Sequence, residues 1–256
     1  MSGAFYIAAV GLDAQQQALD AIANNISNVS TSGFKRSQVR FAETLASVPA
    51  EDFVRADLGA SASTSSGVRP EIMHLLNEQG RLESTGRPLD LAINGAGFIE
   101  LMGPGGQTLL WRGGALDLGD DGKLTTAAGL ELKANISIPA DTTAIEIGTD
   151  GIVRARTSAS EVIEVGQIML VKVENPASVE LLDGGLYRPR EQARLADAKP
   201  GEDGAGILVQ GSIERSTVDL NQEMVSLLMV QRAYAANAQI VQAADQLMGL
   251  ANGLRR

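Results

Sequence analysis

Cysteine is absent from the 256 residues. Disulfides and thiolate metal sites are thereby excluded, and redox chemistry says nothing about the compartment. Histidine occurs once, as His74, too few for a multi-histidine centre. Aromatic residues make up only 4% while glycine reaches 28, a balance that favours turn-rich β structure over an aromatic-lined pocket. Positive charge is sparse as well. The net charge is −10, and no basic cluster is longer than Lys35-Arg36 or Arg255-Arg256, which excludes the clustered phosphate neutralisation that nucleic-acid binding requires. The first Lys or Arg is Lys35, so no basic region precedes an apolar stretch and a cleavable Sec-type signal peptide is not expected. No run is long and apolar enough for membrane insertion.

What the sequence does hold is periodic at both ends. Phe5, Ala8, Leu12, Leu19, Ile22, Ile26 and Val29 follow a three-four spacing that only Gln15 interrupts, predicting an amphipathic helix from about residue 4 to 30 with Gly33 as its stop. Leu227, Val230, Tyr234, Val241, Ala244, Met248 and Ala251 form a second stripe, with Asn237 as the polar exception. Asp219 followed by Gln222 reads as an N-cap and capping-box partner, starting this helix near Leu220.

Between the helices the pattern changes. Short apolar runs at 91–93, 145–147, 152–156 and 168–173 are punctuated by Asn94-Gly95, Asp121-Gly122, Asp150-Gly151 and Asp183-Gly184. Such dipeptides supply the positive φ of tight hairpins, so a middle antiparallel β domain is expected. The segment Gly59 to Gly67 is small and polar and reads as a linker. These features divide the chain into an N-terminal helix (1–34), a connecting region (35–70), a β-rich domain (71–216) and a C-terminal helix (217–256). The expected fold is α+β, with long N- and C-terminal helices paired as a coiled-coil-like assembly core.

Charge distribution is the informative anomaly. Charged residues form 20% of the chain, so 34 residues would hold about seven; residues 1–34 hold two, Asp13 and Asp20. Residues 217–254 carry only Asp219, Glu223, Arg232 and Asp245. Outer helix faces of Gln, Asn, Ser and Ala can be buried against neighbours without the desolvation penalty of a charge. An intramolecular hairpin with its amides facing water is the plainer alternative.

Constellations that could carry chemistry read better as structure. Gly95-Ala96-Gly97 has Glu100 where a dinucleotide loop needs a third Gly or Ala, and a β-turn explains it. Asp120-Asp121 precede Gly122 at an expected hairpin tip, where Asp bonds the local backbone. His74 lies beside Leu75 and Leu76 with no nucleophile partner, and Trp111 and Tyr234 fit packing roles. No catalytic, cofactor-binding or metal-binding residue is assigned, and no enzymatic activity is expected.

The stretch from Asn24 to Arg36 (Asn-Asn-Ile-Ser-Asn-Val-Ser-Thr-Ser-Gly-Phe-Lys-Arg) closely resembles the N-terminal signature of flagellar rod and hook proteins. Leu91 to Phe98 is similar to the start of that family's β domain, and Val230-Gln231-Arg232-Ala233-Tyr234 with Asn237 to its C-terminal helix. The three occur in the family's order. Their matching positions are Asn24, Asn25, Asn28, Gly33, Phe34, Lys35, Gln231, Arg232 and Asn237. Gly11 to Gln16, the Gln-Arg-Ala-Tyr segment and the short length look most like the distal-rod branch. Arg87-Pro88-Leu89-Asp90 is reminiscent of the proximal-rod branch, and a short hook-like member is the other alternative.

The resemblance implies a non-catalytic subunit whose terminal helices line a tubular helical assembly, with Phe5, Leu12, Leu19, Ile22, Ile26, Leu227, Val230, Tyr234, Val241 and Met248 at the interface. The implied partners are further copies of itself, other rod proteins, the hook protein, surrounding ring proteins and the flagellar type III export apparatus. The implied location is the basal-body rod spanning the periplasm, where the assembly would carry motor torque to the hook. A ligand-binding or enzymatic β protein with helical dimerisation arms is the rival from another class; it would show a pocket with convergent titratable residues.

Overall fold

The computed structural model describes residues 2–44, 67–76, 78–134 and 136–253. The chain divides into two compact units, one of residues Met1–Asn24, Ser37–Met73 and Asn221–Arg256, the other of Asn25–Arg36 and His74–Leu220.

The first unit holds most of the two α-helices among the described residues, α1 (Ser2–Ser27, its last three residues falling in the other unit) and α2 (Leu220–Gly253, its first residue falling there too). On α1, Gln16 donates to Asp20 and Gln17 to Asp13, each at i,i+4 spacing, which supports the polar face. Ala14, Ala21 and Ile22 are buried. α2 begins at Leu220, directly after Asp219. Strands Ser37–Thr44 and Gly67–His74 form a two-stranded sheet. Apart from Gly67, the expected linker from Gly59 lies outside the described residues.

The expectation of long terminal helices paired as a coiled-coil-like core is overturned. The described residues hold only two helices, no such paired core forms, and antiparallel strands dominate the architecture. A heptad core needs one continuous apolar seam facing its partner. On α2 the apolar side chains spread around the helix instead: Leu228 is 55% exposed, Met229 65% and Ile240 58%, and Tyr234, within the expected stripe, is 40% exposed. Where Gly11 of α1 approaches α2, its neighbour is polar. A Cβ added at Gly11 would lie 3.1 Å from the Asn237 amide nitrogen.

The second unit is built on a nine-stranded antiparallel sheet. In spatial order its strands are Val179–Leu181, Leu186–Pro189, Thr108–Trp111, Ile99–Met102, Glu131–Leu132, Leu124–Thr126, Gly113–Leu118, Asp90–Asn94 and Ile207–Gln210. A three-stranded sheet, Thr142–Ile147, Ile152–Thr157 and Val162–Gln167, stands beside the last of these. The Gln210 carboxamide links the two, accepting from Ile147 N (3.0 Å) and donating to the Ile145 carbonyl (2.8 Å). Strand Ile152–Thr157 alternates as its sequence requires, with Val153, Ala155 and Thr157 buried. The continuous apolar run in Asp90–Asn94 reflects a strand covered on both faces.

The main core gathers Leu91, Ile93, Leu101, Leu116, Val153, Leu170 and Leu208, all essentially without solvent contact. A second cluster joins Leu76, Phe98, Leu110, Val171, Val179 and Tyr187. The four Asn-Gly and Asp-Gly dipeptides place their glycines at φ +116°, +77°, +83° and +75°, as tight turns demand.

Candidate functional site

The motif from Asn24 to Arg36 is not simply the end of a helix. α1 stops at Ser27, six residues before Gly33, and i to i+3 turns follow, with Asn28 N bonded to Asn25 O and Val29 N to Ile26 O. The Thr31 hydroxyl donates to the Asn28 side chain at 3.0 Å, a local bond that competes with helix continuation. Gly33 therefore serves a different purpose from a helix stop. Its φ is +69°, and a Cβ there would come within 2.8 Å of the Arg112 Cβ, so glycine satisfies both the left-handed backbone and the close approach. Asn25 is buried, Asn28 half-buried and Asn24 exposed.

Residues 33–36 then run as a strap along the segment that leads to α2. Gly33 N donates to Glu214 O (2.8 Å), Thr217 N to Phe34 O (3.1 Å) and Arg36 N to the Thr217 hydroxyl (2.8 Å). Phe34 is buried, and the Lys35 amide donates to the Tyr187 hydroxyl at 3.1 Å.

Beneath the strap lies a sealed ionic cluster. Lys35, Glu214 and Arg112 are 0%, 1% and 2% exposed. Lys35 Nζ donates to Glu214 Oε1 and to the Glu78 carbonyl, both at 2.5 Å. Arg112 Nε and Nη2 both donate to Glu214 Oε2, at 3.2 and 2.9 Å, two charge-assisted bonds converging on one carboxylate oxygen. Gly80 N also donates to Glu214 Oε1, at 2.7 Å. The remaining Arg112 donors reach the carbonyls of Gly95 and Gly97 and the Gln79 side chain, and the guanidinium carbon lies 5.6 Å from the Phe98 ring centre.

With two cations and one carboxylate, the cluster does not balance. Burial first, and the Arg112 charge second, lower Lys35 to about 8 against the opposing pull of Glu214. Burial also pushes the Tyr187 phenol above its usual value. His74, edge-on to Tyr187, is lowered by burial and then by Arg190.

This geometry decides the role of Gly95-Ala96-Gly97. A phosphate loop aims backbone N–H groups at an anion; here the two glycine carbonyls face a guanidinium, and Gly95 N donates to Gln79 Oε1 at 2.8 Å. Asp121 likewise serves its turn. Its exposed carboxylate accepts from Lys123 N (3.2 Å), the bond that chiefly lowers its pKa. Asp120 and Asp121 line an open groove of about 760 Å³ together with Arg87, Leu118, Pro139 and Thr142. No cluster of three or more His, Cys, Asp or Glu among the described residues could hold a metal ion. No helix among them is long and apolar enough to cross a membrane.

The expected interface residues fall on the helices. Ile22 is buried; Leu12, Leu19, Ile26, Leu227, Val230 and Val241 are half-buried; Tyr234 is exposed. The side chains of Phe5 and Met248 lie outside the described residues. Of the C-terminal motif positions, Gln231 and Arg232 are exposed and Asn237 half-buried.

Arg112, Glu214 and Tyr187 escape the sequence reading. The available signal is a lone charge, Arg112, set between Leu109-Leu110-Trp111 and Gly113-Gly114. Nothing local ties it to Glu214, which lies 102 residues away.

Comparison with known proteins agrees with this anatomy. Residues 5–35 match a family described as flagella basal body rod protein, residues 92–155 the flagellar hook protein FlgE/F/G D1 domain, and residues 209–254 the flagellar basal body rod FlgEFG protein C-terminal region. The flagellar basal-body rod protein FlgG of Buchnera aphidicola subsp. Schizaphis graminum is 34% identical over 97% of this chain and 98% of its own. That of Borreliella burgdorferi is 34% identical over all of both chains, and that of Agrobacterium fabrum 33% identical over 96% and 97%. The chain therefore belongs to the flagellar basal-body rod and hook family, as a structural subunit of the rod and not an enzyme.

Proposed function

We propose that the chain is a subunit of the distal-rod branch and that the exposed apolar surface of α2 is where it meets further copies of itself and other rod components. One observation carries the reading: Leu228, Met229 and Ile240 stand more than half exposed on a helix, Leu220–Gly253, that holds three charged residues, Glu223, Arg232 and Asp245. A helix that remains in water carries a charged outer face. Burying each such side chain against a neighbour contributes about 1.5–3 kcal/mol, and the gain recurs in every copy. Contact between unlike surfaces that does not close on itself gives an open helical polymer, the form a drive shaft needs.

Under this proposal residues 1–34 and 217–256 are the assembly arms and the β-rich middle supplies lateral contacts. Phe5, Leu12, Leu19, Ile22, Ile26, Leu227, Val230, Tyr234, Val241 and Met248 belong to the same interface. The subunit reaches the periplasmic rod through the flagellar type III export apparatus. It adjoins other rod proteins, the hook protein and the surrounding ring proteins, and passes torque to the hook. The FlgG name shared by the relatives supports the distal over the proximal branch.

Met229→Asp tests the surface. Met229 is already 65% exposed, so the subunit should fold normally, while a carboxylate buried against a neighbour in each copy should block rod incorporation and motility. Ala128→Asp, in an exposed turn, is the control. If Met229→Asp enters rods as well as the parent chain, this surface is not the interface.

A further inference from the structure

Three full charges, those of Lys35, Arg112 and Glu214, are sealed from water in the β unit. An apolar plug of similar volume would hold the same elements together at least as well, because desolvating buried ions consumes most of what their attraction returns. An ionic set supplies direction, which an apolar plug does not. Each of its bonds has a donor axis and an acceptor plane, so only one register of the strap satisfies all of them.

The position of the cluster gives that direction a use. Residues 33–36 and 214–217 lie just before two of the places where the chain leaves the β unit, into strand Ser37–Thr44 and into α2. Backbone bonds from Gly33 to Glu214 and from Thr217 to Phe34 lay these exits side by side. Glu214 sits on one exit, Lys35 on the other, and Arg112 on the sheet beneath both. Tyr187 holds the Lys35 amide, and Arg112 is anchored on the Gly95 and Gly97 carbonyls. Each exit is thus tied to the other and to the sheet.

We infer that Lys35, Glu214 and Arg112 are positioning residues of a joint that fixes these two chain exits at one place and in one register on the β unit. A load on either segment is then passed to the sheet through these bonds. The inference rests on the rod-subunit reading only for its cellular readout. Met229→Asp leaves the joint intact and Lys35→Met leaves the α2 surface intact, so failure of one reading is separable from failure of the other.

The test is Lys35→Met in the full-length chain, which retains the Arg112–Glu214 pair. Unfolding followed by Trp111, the single tryptophan and part of the β core, should keep its midpoint. Amide exchange at Gly33, Lys35, Arg36 and Thr217 should become at least about tenfold faster while Leu91 and Leu101 keep their protection. Motility of cells carrying the variant should fall. The chain has no cysteine, so Lys35→Cys alkylated with bromoethylamine, and then refolded, restores an ammonium of matching length at this position alone. It should recover the slow exchange. Unchanged strap exchange in Lys35→Met would overturn the inference. So would loosening accompanied by a matching loss of Trp111 midpoint, which marks a mere adhesive, or failure of the alkylated chain to recover protection.

Discussion

Replacing Glu214 by Gln removes the single acid from a site holding two buried cations, with no change of shape. Glu214 takes four donors, from Lys35, Gly80 and two Arg112 nitrogens; a carboxamide can accept on one atom only. Removing the counter-charge of a buried pair costs about 3–5 kcal/mol. Lys35→Met in the same site removes the surplus cation. The Arg112–Glu214 pair survives, and the loss of the bond to the Glu78 carbonyl, about 1–3 kcal/mol, is largely offset because no ammonium has to be desolvated. The order of the two effects is therefore fixed by the charge imbalance: Glu214→Gln is severe and Lys35→Met mild. The double variant should be more stable than Glu214→Gln alone, with a coupling of about 1–3 kcal/mol. Urea unfolding read by Trp111 fluorescence measures all four corners of the cycle. With a slope near 2 kcal/mol per molar, Glu214→Gln should lower the midpoint by about 1.5–2.5 M. A Lys35→Met penalty equal to or larger than that of Glu214→Gln would refute the reasoning.

The same site gives a pH signature. Folded Lys35 loses its proton near 8 and the unfolded side chain near 10.5, so between those values the unfolded chain binds more protons and stability rises with pH. The penalty for burying the ammonium is in full force below pH 8. Above about pH 10 the raised Tyr187 phenol reverses the trend, so the rise should occupy pH 8 to 10 and vanish in Lys35→Met. Gly33→Ala should cost about 1–3 kcal/mol by the Trp111 assay, since it meets both the positive φ and the Arg112 side chain; a neutral result would mean the strap relaxes freely. Leu228→Asp and Ile240→Asp should repeat the assembly defect of Met229→Asp with the β unit's unfolding unchanged, checked by rod yield against Trp111 melting.

Local chemistry was legible in the sequence wherever a few neighbouring residues decide the outcome. The α2 start after Asp219, the four Gly-containing turns and the strands through 91–93, 145–147 and 152–156 all depend on short-range propensity and patterning. The end of α1 was misplaced because Asn28 and Thr31 satisfy each other locally, while the glycine taken as the stop answers to Arg112, 79 positions further along. The paired helical core failed for a related reason. A heptad stripe states which residues could share a seam, but exposed Leu228 and Met229 outside it show that the stripe does not exhaust the apolar surface. The ionic joint was invisible because its parts are separated by 102 and 179 residues. Lys35 entered only through its resemblance to a family motif.

That last separation sets an order of events during synthesis. Lys35 emerges from the ribosome 179 residues before Glu214, a delay of about 10–35 s at 5–20 residues per second. Arg112 is made 77 residues after Lys35 and Glu214 a further 102 residues on, so in the second part of the delay the site has its guanidinium and no acid, and the strap has no reason to enter. Docking waits for one of the last β residues to be made. A chain that stops short of Glu214 lacks both the acid and α2 and leaves its strap in water, so only a finished subunit closes.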